Sequence, residues 1–471
     1  MTNQACSHND DDSRSISADC RHRREDPRAE TANNRSTRAL SLRAGVLAAG
    51  AAAFLACAAT SAQATPVLAH PTGARSRSAS LAVQLWESHN GGPVGGAMTA
   101  LVDKFDATHP GVKVTIVVTK ASTKLQAALP AGDAPVLAEI SHYDGIYVKA
   151  GALVPWNSFM KNSSVVNAKN MLPAVWKNGE VGGQHYRLEA DLKLSEVFYN
   201  EALFKKAGIT SAPATWAELA TAAAKLKKLG VIPIGWKDSS AHILPAIMSN
   251  GGTLLKGGNS VGHAVDFESP AAKATFSYFR SLYAANELQF HHGTTLREDL
   301  AAGKMAMIDG TSAGYAKVLD AVAGKFPVGA FVEPAGSAGH AANIAQGLGF
   351  VLPKGHSHAQ DEAAWTFVQW WFEPAQQALW AERTGFAPET RAGIAAIPAT
   401  YLATHPGLKA SLAAAESPYT VPRPVSDSYN EVQASLDAEF FNAVTGKEPV
   451  ASALATLQKQ GDSYMTGASE L

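Results

Sequence analysis

Residues 81–118 read LAVQLWESHNGGPVGGAMTALVDKFDATHPGVKVTIVV. The apolar run LAVQL (81–85) reads as a strand, and so does VKVTIVV (112–118). Between them Met98, Leu101, Val102 and Phe105 fall at i, i+3, i+4 and i+7, one face of a helix that starts after Pro93. Strand, helix and strand in this order predict two parallel strands joined by a right-handed crossover. The class is therefore α/β, and ligands are expected outside the carboxyl ends of the strands. The stretch WESHNGGPVGG (86–96) lies at such an end. It lacks the G-K-[ST] of a phosphate-binding P-loop and the G-x-G-x-x-G of a dinucleotide fingerprint. It offers backbone N–H groups at a helix N-terminus and the polar side chains of Glu87, Ser88, His89 and Asn90, which suit hydroxyls or an anion.

The pattern continues outward. PVLAEIS (135–141), SEVFYN (195–200) and VIPIGW (231–236) read as strands, and ALFKKAG (202–208) as a short helix stopped by Gly208. ATWAELATAAAKLKKLG (214–230) is a strong helix, with Thr215 as N-cap, Glu218 completing a capping box and Gly230 ending it. PAAKATFSYFRSLYAAN (270–286) and DEAAWTFVQWWFEPAQQALWAERTG (361–385) are helical, the latter broken at Pro374. Its Trp365, Trp370, Trp371 and Trp380 read as core. EPVASALATLQKQGDSYM (448–465) reads as a closing amphipathic helix.

The chain has 471 residues, room for two or more domains, and a formal net charge of −1 gives no electrostatic case for nucleic acid. With 17% charged and 46% hydrophobic residues it has the means to bury a large core. Residues 1–43 are polar and Arg-rich, and 44–64 read AGVLAAGAAAFLACAATSAQA, the form of a secretory signal. Cleavage is expected after Ala62-Gln63-Ala64, or at a divergent lipobox, Phe54-Leu55-Ala56-Cys57, which leaves a lipid on Cys57. All three cysteines (Cys6, Cys20 and Cys57) lie in this leader, so no disulfide or thiol chemistry is expected of the folded body. Residues 65–80 form a Pro-, Ser- and Arg-rich linker.

A catalytic reading is available. Gly310-Thr311-Ser312-Ala313-Gly314 matches G-x-S-x-G between a strand-like MAMID and a helical YAKVLDAVA, with Asp361 and His405 following in the order of a serine hydrolase. HNGG (89–92), which mimics an oxyanion loop, lies more than two hundred residues upstream, too far for that fold, and a small-residue turn explains the motif as well. A secreted serine esterase using Ser312 is thus the alternative function. The pairs His291-His292 and His356/His358 lack acidic partners at ligand spacing, so no metal or other cofactor is expected. Trp236 ends a strand and precedes KDSS, so its face is expected to pack on a ligand, with a core position as the alternative.

Several segments together resemble one family. WESHNGGPVGGAMTALVDKFDATHPGVKV, EVFYNEALFKKAGITSAPATWAELATAAAKLKKLG, AAGKMAMIDGTSAG, WAERTGFAPETRAGI and FFNAVTGKEPVASALATLQKQGDSYM are similar to the family 1 extracellular solute-binding proteins of ABC importers. The similarity spans residues 81–467 and is greatest to the glycerol-3-phosphate and carbohydrate binders. It implies a type II periplasmic-binding-protein fold: two discontinuous α/β lobes joined by hinge crossings near Leu192–Ser195, Gln346–Gly349 and Pro388. The expected lobes are 81–192 with 348–388, and 193–347 with 389–471.

The resemblance also implies a ligand set. Trp236 stands for a stacking Trp, Gly347 for a Gly whose N–H approaches the ligand, Thr311 or Ser312 for a Ser, and Arg423 for an anion-binding Arg. Phe386 replaces a usual Tyr, His142 a usual Glu, and the first-lobe Tyr is missing around Lys120–Thr123. The expected contacts are completed by Trp86, Glu87, Ser88, His89, Lys120, Asp144, Asp191 and Gly310. The implied function is capture of a sugar or a glycerol-3-phosphate-like polyol by a monomer. Export to the periplasm or outer face of the membrane and delivery of the solute to the transmembrane subunits of an ABC permease are what the resemblance implies.

Overall fold

Parallel pairing of the first two strands organises one half of the molecule. In a computed structural model, which describes residues 80–89, 91–141, 144–237, 239–257, 264–291, 295–423 and 428–467, Leu81–Glu87 pairs with Val112–Val118 in parallel register, Leu81 opposite Val112. The helix between them runs Gly92–Thr108 and buries Ala97, Met98, Leu101, Val102 and Phe105, the face that the spacing predicts. Gly91 and Gly92 enter it at φ 74° and 62°, left-handed values that favour glycine, which explains the Gly pair before Pro93. The leader and linker, with their proposed cleavage sites, lie outside the described residues.

The first sheet runs in the spatial order Val112–Val118, Leu81–Glu87, Leu137–Ile140, Gly349–Pro353, Leu153–Val154, and Arg187–Glu189 also pairs with Gly349–Pro353. The strand at Gly349–Pro353 is antiparallel to its neighbours, so the chain returns from more than 150 residues away to complete a sheet begun as parallel βαβ. The second sheet has the order Leu288–Phe290, Ile232–Trp236, Met305–Thr311, Ser195–Asn200, Val328–Val332. Ser195–Asn200 runs antiparallel to both neighbours, while the other contiguous pairs are parallel.

Each sheet has its own apolar core. Val83, Leu85, Phe105, Phe350, Phe367 and Trp371 belong to the first. Ile234, Phe276, Phe279, Met307, Phe440 and Leu457 belong to the second. The predicted helix break is present: His358–Trp371 ends and Pro374–Thr384 begins at Pro374, with Trp371 and Trp380 fully buried and packed 4.9 Å apart at 60°. The helix Trp216–Lys227 is capped by Thr215, whose hydroxyl accepts from Glu218 N at 3.2 Å. The Glu218 carboxylate takes Ala214 N at 2.7 Å and not the N–H of Thr215, a one-residue shift of the expected capping box. Helix Pro406–Ala415 serves both sheets: Leu408 and Leu412 join the first core, while Ser411 Oγ donates to the buried Glu196 of the second sheet.

The crossings between the sheets are stitched by buried amides. Asn178 Nδ2 donates to Glu189 Oε2 at 3.0 Å and to Ala345 O at 3.1 Å, and its Oδ1 accepts from Arg423 N at 3.0 Å. Asn343 exchanges two bonds with Ser195, accepting from its N at 3.1 Å and donating to its O at 3.0 Å. Leu192 pairs with Ala387 and Lys193 with Gln346 as isolated bridges, so three distant segments run side by side where the chain passes from one sheet to the other.

Candidate functional site

The Leu81–Glu87, Ile232–Trp236 and Met305–Thr311 strands end at one cavity of 710 Å³, the location expected for ligands of an open α/β sheet. One wall carries Ser88, His89, Gly91, Gly92 and Pro93, from the turn into the first helix. The opposite wall carries Lys237, Ser239, His242, Asp309, Gly310, Thr311 and Lys317, with Arg297 and Leu296 beside them. The floor is the crossing region, through Asp191, Lys193, Gln346 and Leu348, and Phe386 closes one side.

The first wall is an acid cluster around one histidine. The strand end turns so that His89 N donates to Glu87 Oε2 at 2.6 Å, which fixes the Glu87 carboxylate. His89 Nε2 lies 3.4 Å from both Glu139 Oε2 and Asp191 Oδ2. Burial alone would lower the His89 pKa, but the Glu139 and Asp191 carboxylates outweigh it and hold it up to about 11. Glu139, fully buried on the Leu137–Ile140 strand, is pushed up by burial to about 7 against the pull of His89. Asp191 is aimed by the N–H of Leu348, which donates to its Oδ1.

The second wall holds a buried histidine–glutamate pair. His242 Nδ1 lies 2.6 Å from Glu333 Oε1. Burial, helped by Lys237, lowers the imidazole pKa to about 3, while burial and Asp309 push that of Glu333 well up. The other ring nitrogen, His242 Nε2, lies 3.6 Å from Asp309 Oδ2. Asp309 Oδ2 accepts from Lys237 N at 3.0 Å. Lys193, Lys237, Arg297 and Lys317 bring four cationic side chains to the cavity lining. The two aspartates there are already engaged by backbone N–H groups. Burial lowers the Lys193 pKa, with Asp191 pulling it back up.

Of the residues expected from sequence, Ser88, His89, Asp191, Gly310, Thr311 and Phe386 line this cavity. Glu87 stands behind His89 and is 1% exposed. Trp236 does not reach the cavity: it is fully buried, its ring 4.9 Å from Phe279 and 5.7 Å from His242, so the expected stacking face is packed inside the second core. Its neighbour Lys237 takes the place at the strand end, because successive residues of a strand point to opposite faces.

Trp86 is also core, with Lys124 Nζ 4.0 Å above its ring. Lys120 is exposed, precedes the helix Ala121–Ala131 and is not part of the lining. Gly347 is absent from the lining; a Cβ there would collide with Asp191 and Glu189, so its smallness serves the crossing. Arg423 is buried beside Glu189, not in the lining. Asp144 begins the short helix Asp144–Lys149, and His142 lies outside the described residues.

Ser312 gives no hydrolase site. It is 1% exposed, and its Oγ accepts from Leu194 N at 3.3 Å. His405 is turned to Tyr401 and Thr404, stacking on Tyr401 at 3.7 Å, and Asp361 lies in the first turn of His358–Trp371; among the described residues neither bonds to Ser312.

Sequence reasoning missed Glu139, Lys193, Lys237, His242, Arg297 and Lys317 as site residues. Two of these carried usable signals. Lys237 follows the strand end that Trp236 marked, and Lys193 sits in the expected first crossing.

The sequence profile of the family described as "Bacterial extracellular solute-binding protein" matches residues 100–410, about two thirds of the chain. The chain belongs to this family. It is similar to the sn-glycerol-3-phosphate-binding periplasmic protein UgpB of Pectobacterium atrosepticum, 23% identical over 426 residues, which cover 82% of this chain and 92% of the relative. Among solved structures it resembles the cyclic alpha-maltosyl-1,6-maltose binding protein of Arthrobacter globiformis (TM-score 0.71, 20% identity, covering 82% of this chain and 99% of that one). It also resembles UgpB of Mycobacterium tuberculosis in complex with glycerophosphocholine (TM-score 0.70, 19% identity, covering 81% and 98%). These neighbours establish the type II periplasmic-binding-protein fold for this member of the solute-binding family.

Proposed function

We propose that this solute-binding protein captures an anionic polyol, a phosphorylated or acidic sugar or a glycerol-phosphate-like compound, between its two walls. The observation that carries this reading is the cavity lining: Lys193, Lys237, Arg297 and Lys317 face a space whose carboxylates are already engaged. Cations so placed match a phosphate or carboxylate through charge-assisted hydrogen bonds. Ser88, Ser239, Thr311 and Gln346 add donors and acceptors for hydroxyls. A neutral sugar is favoured less, since Phe386 and Phe198 are the lining phenyl rings and the nearby Trp236 is buried.

In this reading the lobes are 81–192 with 348–388, and 193–347 with 389–471, with Arg391–Ala396 and Ala399–Thr404 packed on the first core and Pro406–Ala415 on both. A ligand that bonds His89 or Asp191 on one wall and Lys237 or Thr311 on the other favours the closed arrangement. The closed monomer then docks on the membrane subunits of an ABC permease, a role supported by the family and by its periplasmic relatives. Export through residues 44–64, with or without a lipid on Cys57, places it there; the mass of the mature chain from the native cell distinguishes the two cleavage sites.

The deciding experiment is calorimetry against glycerol-3-phosphate, hexose phosphates, uronic acids and neutral oligosaccharides. Binding of one of the anionic compounds, weakened tenfold or more in Lys237→Ala, is expected. Tight binding of neutral sugars alone overturns the anionic reading.

A further inference from the structure

Glu139 has no exposed surface, and among the described residues neither of its oxygens has a hydrogen-bond partner. A buried carboxylate in that condition is costly unless a cation sits against it. Around it lie Glu87 and Asp191, each 1% exposed, and His89, whose Nε2 is likewise without a hydrogen bond. Three carboxylates thus surround one imidazole, and ligand atoms of Glu87, His89 and Glu139 all lie within 4.8 Å of one another.

The distances suit an ion pair and a coordination site alike. His89 Nε2 is 3.4 Å from Glu139 Oε2 and 3.4 Å from Asp191 Oδ2. A charge-assisted N–H···O bond is shorter, about 2.7–2.9 Å. Two ligands on one tetrahedral cation with bonds of about 2.0–2.1 Å stand about 3.4 Å apart. The carboxylates are also fixed from different parts of the backbone: Glu87 by the N–H of His89, Glu139 by its place in the first sheet opposite Phe350, and Asp191 by Leu348 N. Such outer contacts orient metal ligands before the ion arrives. His89 and Asp191 line the cavity, so the position is open to entry from solvent.

We propose that Glu87, His89 Nε2 and Glu139, with Asp191 beside His89, form a binding site for one divalent transition cation of the zinc class. One imidazole with carboxylates is a borderline donor set, suited to zinc more than to magnesium.

The test uses the full chain, stripped by chelator and titrated with zinc chloride without any solute, so that its outcome is independent of the solute proposed above. One equivalent bound to the parent protein is expected, with at least a hundredfold loss in His89→Gln and Glu139→Gln. X-ray absorption of the zinc-loaded parent, which needs no variant to fold, is expected to give nitrogen and oxygen neighbours near 2.0–2.1 Å. Absence of stoichiometric zinc, an equivalent retained in both variants, or sulfur neighbours from the leader cysteines each overturns the site.

Discussion

At the scale of single residues, the cavity separates charges that bind from charges that hold the fold. Lys237 and Lys193 face the cavity, and a charge-assisted hydrogen bond to a ligand contributes about 1.5–3 kcal/mol. Replacing either with Ala is expected to weaken an anionic solute by about 10- to 100-fold at unchanged melting temperature, read by calorimetry and thermal melting together. Glu196 does the opposite work. It is buried under Ser411 in the second sheet, and burial pushes its pKa to about 8. A group whose folded pKa lies above its unfolded value supports the fold fully below the unfolded value and loses that support as pH rises through the folded one. Stability is therefore expected to fall between about pH 4.5 and pH 8 on account of this carboxyl. Glu196→Gln keeps the shape and removes the proton, so its melting curve is expected to decline less than that of the parent over this window. Equal declines in the two proteins would remove Glu196 as the cause.

At the scale of elements, local pattern was readable and long-range convergence was not. The opening strand, helix and strand appear as predicted, and the helix buries its predicted face because periodicity within one element decides which side is apolar. The break at Pro374 follows from the missing N–H of proline. Trp236 shows where this reasoning stops. Its position at a strand end was legible, but the face on which its ring lies depends on pairing with Leu288–Phe290 and Met305–Thr311, which the sequence leaves open. Glu139 was illegible as a partner of the site for the same reason, since His89, Glu139 and Asp191 come from segments about fifty residues apart. The crossings carry their own signature in Asn178, which bonds to segments at 189, 345 and 423. Asn178→Ala leaves buried partners unsatisfied and is expected to destabilise by about 2–4 kcal/mol in urea unfolding. A change under 0.5 kcal/mol, within the usual range for a surface substitution, would show that the stitch is redundant.

At the scale of the whole molecule, two cores that share few side chains leave the crossings and helix Pro406–Ala415 to determine how far the walls stand apart. The two walls contribute different chemistry: an acid cluster with His89 on one, and Lys237, Arg297 and Lys317 on the other. A solute that touches one wall alone gains the same contacts in any arrangement of the lobes and shifts nothing. A solute that bonds both gains contacts only when the walls approach, and its binding energy then favours closure. Such a ligand at about a hundred times its Kd stabilises the folded chain by about 2.7 kcal/mol, a shift visible in urea midpoint. The radius of gyration from small-angle scattering is expected to fall in the presence of the solute that calorimetry identifies, and to fall less in Lys237→Ala at a concentration that saturates the variant. A solute that binds tightly with no contraction in either protein would mean that the cavity closes by side-chain rearrangement and that the crossings do not act as hinges.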